Sequence, residues 1–222
     1  MWRDASLVAG RDLRIEARSR VTVHQVGPFA LLVLVLFAFA LDPARQILER
    51  ATPGLYWITV LFSALLAIAR SAALDEAAGV RDAVRLSALD PAGVFAGKAL
   101  AVAAELLVLE ALLAVGVIIL YGAEPAGVGL LVATCLAATA AIASTGTLYG
   151  ALVSGLRVRE TLLPLLLLPV LAPVLIGATR AFEAALGGAP ADGWPWCGLL
   201  AVFAILYSVA GALAYGTLLE AS

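Results

Sequence analysis

Six long runs of apolar residues constrain this chain more than any other feature. They lie at Val23–Leu41, Thr52–Ala69, Ala99–Tyr121, Ala126–Leu148, Thr161–Ala178 and Cys197–Leu219. Each approaches or reaches the roughly 17–25 residues that an α-helix needs to cross the hydrocarbon core of a bilayer. Because 63% of the residues are hydrophobic and the mean hydropathy is +1.04, only lipid can cover so much apolar surface. The runs predict an all-α polytopic membrane protein with six transmembrane helices in a single membrane domain, residues 1–222.

The thirty charged residues are distributed unevenly along the chain. Two stretches, Met1–Arg20 and Arg70–Lys98, hold sixteen of them, whereas the six apolar runs hold only two. If both chain ends lie on one side of the membrane, that side collects eleven Lys and Arg residues and the other side three. Because Lys and Arg concentrate in cytoplasmic loops, we expect both termini in the cytoplasm.

Residues 1–20 have the pattern of a helix that lies along the membrane surface. Three arginines fall on one helical face and three apolar residues on the opposite face. The two sets are Arg11, Arg14 and Arg18, and Trp2, Ala9 and Leu13. Such a helix places its apolar side in the headgroup layer and its arginines near anionic lipid. Asp12 and Glu16 interrupt the apolar face. The alternative is that residues 1–20 form a solvated tail.

The stretch Arg70–Lys98, called the connector below, separates the second and third predicted spans. It combines a partly apolar stripe with charges of both signs, Gly79 bends it, and Asp90–Pro91 ends it before the next span opens near Lys98. We predict a short cytoplasmic helix pair that docks on a soluble partner with an energy source of its own. The candidate docking residues are Asp75, Glu76, Gly79, Arg81, Asp82, Arg85 and Pro91. A solvated loop is the alternative.

Two carboxylates, Glu105 and Glu110, lie inside the third predicted span. A charge near the bilayer midplane costs about 2.5–3.5 kcal/mol on insertion scales, so Glu110 must face a cavity, contact a partner or be protonated. Glu105 lies about 10 Å from Lys98 along the helix axis and on the same face, which favours pairing toward the cytoplasmic side. The two carboxylates differ by roughly 140° around the helix, which argues against a catalytic pair. A functional role and a structural contact to neighbouring helices are both open.

Small residues and prolines mark the fourth and fifth predicted spans. Gly146 and Gly150 have the Gly-x-x-x-Gly spacing that lets helix backbones approach closely. We expect packing within the bundle, with a subunit interface as the alternative. The fifth span contains three prolines, which kink helices and here predict a strongly curved or a broken helix. They are Pro164, Pro169 and Pro173.

The sequence contains no convincing enzyme motif. Residues Gly93–Ala99 resemble a phosphate-binding loop, but they are one residue short and lack the Ser or Thr after the lysine. His24 is the only histidine, so a histidine pair cannot hold a metal and Ser144 lacks a base. Cys135 and Cys197 are too few for a disulfide framework or a zinc site, and we expect both to pack as small apolar residues. We predict no catalytic residue, no metal site and no enzymatic activity.

Three segments carry a resemblance to a known family. The first is Thr52–Gly54 with Trp57 and Ser63–Leu66, running into Arg70. The second is Asp75, Gly79 and Asp82, followed by Leu86, Pro91 and Lys98, and the third is Leu168–Pro173. In their order and spacing these segments are similar to the second span, the cytoplasmic connector and the proline-rich fifth span of the haem exporter B family (CcmB, the cytochrome c maturation permease). Length, six spans and cytoplasmic termini agree along the whole chain.

The resemblance implies a membrane subunit of an ABC-type complex in the bacterial cytoplasmic (inner) membrane. Its fold would be like that of ABC-2 permeases, with an interfacial N-terminal helix and a coupling helix between spans 2 and 3. In the family two copies pair with an ATPase subunit that binds ATP, beside a haem-handling membrane protein and a periplasmic haem chaperone. The connector residues would then couple to the ATPase. Haem would be cargo of the complex, either exported or released with the chaperone, and no nucleic-acid partner is expected.

Two other functions compete with this one. A stand-alone secondary transporter would use Glu105 or Glu110 for protons, but the sequence has no visible inverted repeat. A non-transporting scaffold of the same assembly predicts that charge reversal at Asp82 disturbs assembly without affecting any ATP-dependent step. We adopt the ABC permease subunit as the prediction.

Overall fold

In the computed structural model of this chain, residues 1–19, 26–41, 45–77, 89–123, 125–153 and 159–221 are described. Within these ranges all regular structure is helical, as predicted, with seven α-helices and one short 3-10 helix. The α-helices are α1 (Trp2–Ser19), α2 (Gly27–Leu41), α3 (Arg45–Ala77), α4 (Pro91–Tyr121), α5 (Val128–Val153), α6 (Arg159–Leu186) and α7 (Trp194–Ala221). The 3-10 helix, Pro190–Gly193, leads directly into α7.

Five of the described helices, α3 to α7, are long and apolar enough to cross a membrane. α2 is also apolar but contains only 15 residues. The first predicted span began at Val23, and residues 23–25 lie outside the described ranges. The multi-pass character of the chain is therefore supported by five helices, and a sixth crossing stays a prediction.

The second predicted span began too late. α3 starts at Arg45 and not at Thr52, so the seven residues before the predicted span are also helical. Pro53 consequently lies inside α3, and the hydroxyl of Thr52 donates a hydrogen bond to the carbonyl of Leu48 at 2.8 Å. The physical reason is that hydropathy marks residues that lipid accepts, whereas the hydrogen bonds of a helix continue into polar sequence.

The third predicted span also began too late. α4 starts at Pro91, because the carboxylate of Asp90 caps the helix by accepting a hydrogen bond from the backbone N–H of Ala92 at 3.2 Å. An aspartate N-cap followed by proline is a favourable helix start. Lys98 therefore lies two turns inside α4 and does not open the helix.

The remaining helices also extend past their predicted limits. α5 continues beyond Leu148 to Val153, and α7 starts at Trp194 and not at Cys197. α6 is one continuous helix through its three prolines and reaches Leu186, so the alternative of a broken helix was wrong. This helix therefore continues for eight residues past the predicted end at Ala178.

α4 and α5 occupy the centre of the bundle and contact most of the other helices. At one end, called the connector end, α3 ends, α4 begins, and Tyr215 of α7 packs against Phe95 with ring centroids 5.7 Å apart. At the opposite end, called the loop end, the backbone N–H of Gly127 donates to the carbonyl of Ala185 at 3.0 Å. α1 and the last turns of α7 thus lie at the same end of the bundle. Which side of the membrane this end faces stays a prediction.

Gly146 of α5 lies at a close contact between two helices. A Cβ at this position would overlap the side chain of Ile68 on α3, and Gly150 faces the same side chain. Small residues permit such an approach of helix backbones. The predicted role of Gly146 in packing within the bundle is therefore confirmed.

Candidate functional site

Gly93 and Gly97 of α4 form the surface against which α1 packs. A Cβ at Gly93 would lie 2.8 Å from the carbonyl oxygen of Met1. A Cβ at Gly97 would lie 2.6 Å from the carbonyl oxygen of Ala5 and 2.7 Å from Cβ of Val8. These distances are far inside van der Waals contact, so a side chain at either glycine would displace α1. The segment that resembles a short phosphate loop is therefore a helix-packing motif.

The buried face of α1 differs from the predicted apolar face. Ala5, Val8 and Ala9 are buried in the bundle, whereas Trp2 is 74% exposed. Of the three residues of the predicted apolar face, Ala9 thus packs against the bundle, Leu13 is half-buried and Trp2 stays on the outer surface. The reason is that α1 packs directly on α4, and the glycines of α4 select which residues of α1 become buried. The placement of α1 in the membrane interface stays a prediction.

The two acidic residues that interrupt the predicted apolar face form ion pairs with the bundle. The carboxylate of Glu16 lies 2.7 Å from the guanidinium group of Arg70 on α3. The carboxylate of Asp12 lies 3.8 Å from the ammonium group of Lys98 on α4, whose side chain is only 7% exposed. Breaking an ion pair that is shielded from water leaves a poorly solvated charge, so such pairs strongly favour one geometry. α1 therefore joins the end of α3 to the beginning of α4.

Glu105 belongs to the same group of charges. It lies with Arg11, Glu16 and Arg70 around a narrow cavity of about 30 Å³ between α1, α3 and α4. Glu105 lies near the midpoint of α4 (Pro91–Tyr121), five residues closer to the connector end than Glu110. The six charged residues of this region are called the junction cluster, and they are Arg11, Asp12, Glu16, Arg70, Lys98 and Glu105. The first and last residues of the connector are thus both paired with α1.

Most candidate docking residues lie at or beyond the edge of the described ranges. The backbone of α3 continues through Asp75 and Glu76, so the first part of the connector prolongs this helix. Pro91 is the first residue of α4. Four candidates fall in residues 78–88, which lie outside the described ranges, and their docking role stays a prediction. They are Gly79, Arg81, Asp82 and Arg85.

Glu110 forms a separate polar site in the middle of α4. It is only 2% exposed, and Oε1 accepts a hydrogen bond of 2.5 Å from the hydroxyl of Thr139 on α5. The hydroxyl of Tyr56 on α3 donates to the backbone carbonyl of Glu110 at 3.0 Å and lies 3.8 Å from Sγ of Cys135. The other carboxyl oxygen, Oε2, is buried and has no hydrogen-bond partner among the described residues. A carboxyl group at this depth with a free oxygen is a functional candidate.

The structure separates the two carboxylates of α4. Glu105 faces α1 and α3, whereas Glu110 faces α3 and α5. The surroundings of Glu110 were not predicted, because Cys135 was expected to be a simple packing residue and Tyr56 was not among the candidate residues. Cys197 packs within an apolar cluster, as predicted.

Two adjoining cavities lie between Glu110 and the loop end. The first, of about 340 Å³, is almost entirely apolar and is lined by Glu110 and Cys135 at its inner end. The second, of about 650 Å³, is polar and is lined by charged residues that include Glu49, Arg50 and Glu183. The cavities share three lining residues, which are Thr52, Ala123 and Leu186. An almost apolar cavity therefore lies between a cavity with charged lining residues and a buried carboxyl group.

Within the described ranges, no three His, Cys, Asp or Glu side chains are placed to hold a metal ion. His24 lies outside those ranges. The prolines of α6 differ in environment, since Pro164 is half-buried while Pro169 and Pro173 are exposed on the same helix. A role for this helix in movement or in lining a pathway stays a prediction.

The helices, their apolar lengths and the junction cluster define a multi-pass helical membrane protein with a charged junction at one end. The sequence profile of the family described as "CcmB protein" matches residues 3–222. The chain therefore belongs to the CcmB family.

Several curated relatives cover most of this chain. It is 31% identical over 218 residues to heme exporter protein B of Bradyrhizobium diazoefficiens, covering 95% of this chain and 97% of the relative. It is 35% identical over 183 residues to heme exporter protein B of Paracoccus denitrificans, covering 81% and 82%. It is 31% identical over 187 residues to heme exporter protein B of Escherichia coli K12, covering 82% and 83%. The similarity is thus distributed along the chain and includes the connector.

Proposed function

We propose that this chain is the membrane subunit of an ABC-type haem exporter complex in the bacterial cytoplasmic membrane, acting in cytochrome c biogenesis. Membership of the CcmB family and similarity to proteins named heme exporter protein B support the haem-related role. One observation carries the proposal that the chain couples to an ATPase. Both ends of the connector, Arg70 and Lys98, are ion-paired to the same N-terminal helix.

In this proposal a separate ATPase subunit binds and hydrolyses ATP, and this chain has no enzymatic activity. The ATPase docks on the connector and moves it when it closes on ATP. Because α1 holds Arg70 and Lys98, the end of α3 and the beginning of α4 move together with α1 as one body. Without these pairs, movement of the connector would be absorbed by separate displacement of α3 and α4.

α4 then carries the movement through the membrane. The hydrogen bond from Thr139 to Glu110 and the bond from Tyr56 to the Glu110 backbone link the middle of α4 to α5 and α3. α5 in turn packs against α6 and α7. The expected result is a change in the polar cavity at the loop end. This change either exports haem or releases a haem-loaded periplasmic chaperone.

The proposed assembly also contains a second copy of this chain, a haem-handling membrane protein and the periplasmic chaperone. The distribution of Lys and Arg supports an orientation with the connector and both termini in the cytoplasm. In that orientation the ATPase meets the connector, and the loop end faces the periplasm. Haem is cargo of the complex and not a resident cofactor of this chain.

The proposal predicts that charge reversal in the connector removes the ATPase. The complex is purified in mild detergent from the bacterium that naturally makes this chain. One preparation contains the intact chain and the other contains an Asp82→Arg, Arg85→Glu variant. Like charges placed opposite each other at an interface cost several kcal/mol, so co-purified ATPase should fall by at least ~10-fold. The measurement is the ratio of ATPase subunit to this chain on a calibrated gel.

A matched control exchanges two charges at the loop end. Arg180 and Glu183 form an exposed ion pair of 2.8 Å, and the variant Arg180→Glu, Glu183→Arg preserves the pair with its direction reversed. This control should retain the ATPase at the intact ratio. Absence of an ATPase from the intact protein would contradict the proposal, as would full retention by the connector variant. In the first case, transport that follows the proton gradient would identify a secondary transporter.

A further inference from the structure

The apolar cavity beside Glu110 is a groove between two helices. Ala114 of α4 and Leu136 of α5 line it and are exposed on the outside of the bundle, while Tyr56 of α3 and Phe182 of α6 lie behind it. Its volume of about 340 Å³ is within the range of roughly 300–1,000 Å³ typical of ligand pockets. Because the exposed residues at its rim lie on two membrane-crossing helices, the groove is open to lipid.

The polar atoms of the groove gather at its inner end, where the carboxyl group of Glu110 lies near the thiol of Cys135. Along α4 it extends from Leu107 to Ile118, which is about 16 Å at the helical rise. Glu110 lies near the inner limit of this length, and its Oε2 has no partner among the residues that the structure describes. The side chain is buried, held in place from one side by Thr139, and lines the groove. The groove therefore offers an apolar channel that ends at a carboxyl group beside the thiol of Cys135.

Water and ordinary phospholipid chains are poor occupants of such a groove. A water molecule at Oε2 of Glu110 would satisfy that oxygen but leave the apolar remainder of the groove unfilled, and a purely apolar cavity of about 150 Å³ stays dry and binds benzene. A phospholipid chain would fill the space, but its headgroup would stay at the loop end, leaving Oε2 of Glu110 against hydrocarbon. Burial of a polar oxygen without a hydrogen bond is unfavourable. The best occupant has its polar group at the inner end.

We propose that the groove binds a membrane-dissolved amphiphile with a hydroxyl head group, whose apolar body lies between α4 and α5 and whose hydroxyl meets the carboxyl group of Glu110. A hydroxyl both donates and accepts hydrogen bonds. It therefore matches Glu110 whether the carboxyl group is ionised or protonated, whereas a ketone, which only accepts, does not match the ionised form. The binding requires neither an ATPase nor haem, so this inference can fail or hold independently of the proposed function.

The test compares two photoreactive probes that differ in a single group. One is a long-chain alcohol and the other is a hydrocarbon of the same length, and each carries one diazirine at mid-chain. The intact protein in lipid nanodiscs is labelled with each probe, and mass spectrometry locates the labelled residues. The alcohol should label α4 and α5 beside the groove at least ~10-fold more than the hydrocarbon, because the matched hydrogen bond is lost with the hydroxyl.

Four variants assign the binding to the groove and to Glu110. Glu110→Leu should reduce labelling by the alcohol to the hydrocarbon level, whereas Glu110→Gln should retain the preference because its amide also hydrogen-bonds. Ala114→Trp fills the groove and should block both probes. Val202→Trp, on the exposed face of α7, is the matched control and should change neither.

Two results would overturn the inference. Equal labelling of the groove by the two probes in the intact protein means that any hydrocarbon fills it. Absence of labelling there means that other helices or a second copy of the chain close it. If Glu110→Leu fails to fold, the comparison of Ala114→Trp with Val202→Trp decides whether the alcohol binds in the groove.

Discussion

Replacement of Gly97 with leucine is expected to detach α1 from the bundle while the membrane-crossing helices stay folded. A Cβ at this position already meets the backbone of Ala5 and the side chain of Val8, so leucine has no room. Overpacking of a closely packed site costs about 1–3 kcal/mol, which corresponds to roughly 5–150-fold in an equilibrium constant. Amide hydrogen exchange of α1 should accelerate by a factor in this range, measured by mass spectrometry in nanodiscs.

Gly129→Leu provides the control for this experiment. Gly129 lies on α5, where an added Cβ meets no atom within 4 Å, so leucine there should leave the exchange of α1 unchanged. If amide exchange of α1 is as slow in the Gly97→Leu variant as in the intact protein, then α1 is held by something other than its contact with α4. That result would contradict the described packing.

Reversal of the charge at Arg70 should destabilise the junction cluster more than reversal of an exposed charge. In an Arg70→Glu variant the carboxylate at position 70 would face Glu16 and Glu105, which both line the same cavity. Breaking a buried ion pair costs about 3–5 kcal/mol. The Arg70–Glu16 pair is partly exposed, with side-chain exposures of 26% and 14%, so about 2 kcal/mol is expected after solvent screening. Thermal unfolding in nanodiscs measures this loss.

A charge swap tests whether the loss comes from the pair itself. Combining Glu16→Arg with Arg70→Glu should recover much of the stability, since residues in one ion pair couple by about 0.5–3 kcal/mol. Arg180→Glu breaks an exposed pair of 58% and 56% side-chain exposure, and should cost only about 0.2–1 kcal/mol. Equal losses in the Arg70 and Arg180 variants, without recovery in the swap, would show that the junction cluster is not a clamp.

The helical class of this protein was predictable, and the limits of its helices were not. Long apolar runs predict α3 to α7 because lipid forces helices to satisfy their own backbone groups. The same signal fails at Arg45 and Leu186, where polar sequence continues a helix beyond the apolar run. The start of α4 was encoded by Asp90–Pro91, but that pair was interpreted as a helix end because the connector was expected to finish there.

The contacts of α1 required the tertiary structure. Gly93 and Gly97 have the spacing of a helix-packing motif, yet nothing in the sequence says which helix packs on them. Asp12 and Glu16 weaken an isolated amphipathic helix, and only the positions of α3 and α4 turn them into ion-pairing residues. The depth of Glu110 predicted a cavity or a partner, and both are present. Its bond with Thr139 depends on the rotation of α5, which small apolar residues leave undefined in sequence.

The central claim is that the connector couples an ATPase to haem delivery, and complementation tests it most directly. The host gene is replaced by the intact gene, by the Asp82→Arg, Arg85→Glu variant, or by an Asp192→Arg control, which reverses an exposed charge outside the two cavities. Covalently haem-loaded c-type cytochromes are then measured by haem staining, with membrane levels of each variant matched by immunoblot. We expect full cytochrome levels with the intact protein and the control, and little or none with the connector variant. Full levels with the connector variant, or normal cytochromes without the gene, would contradict the central claim.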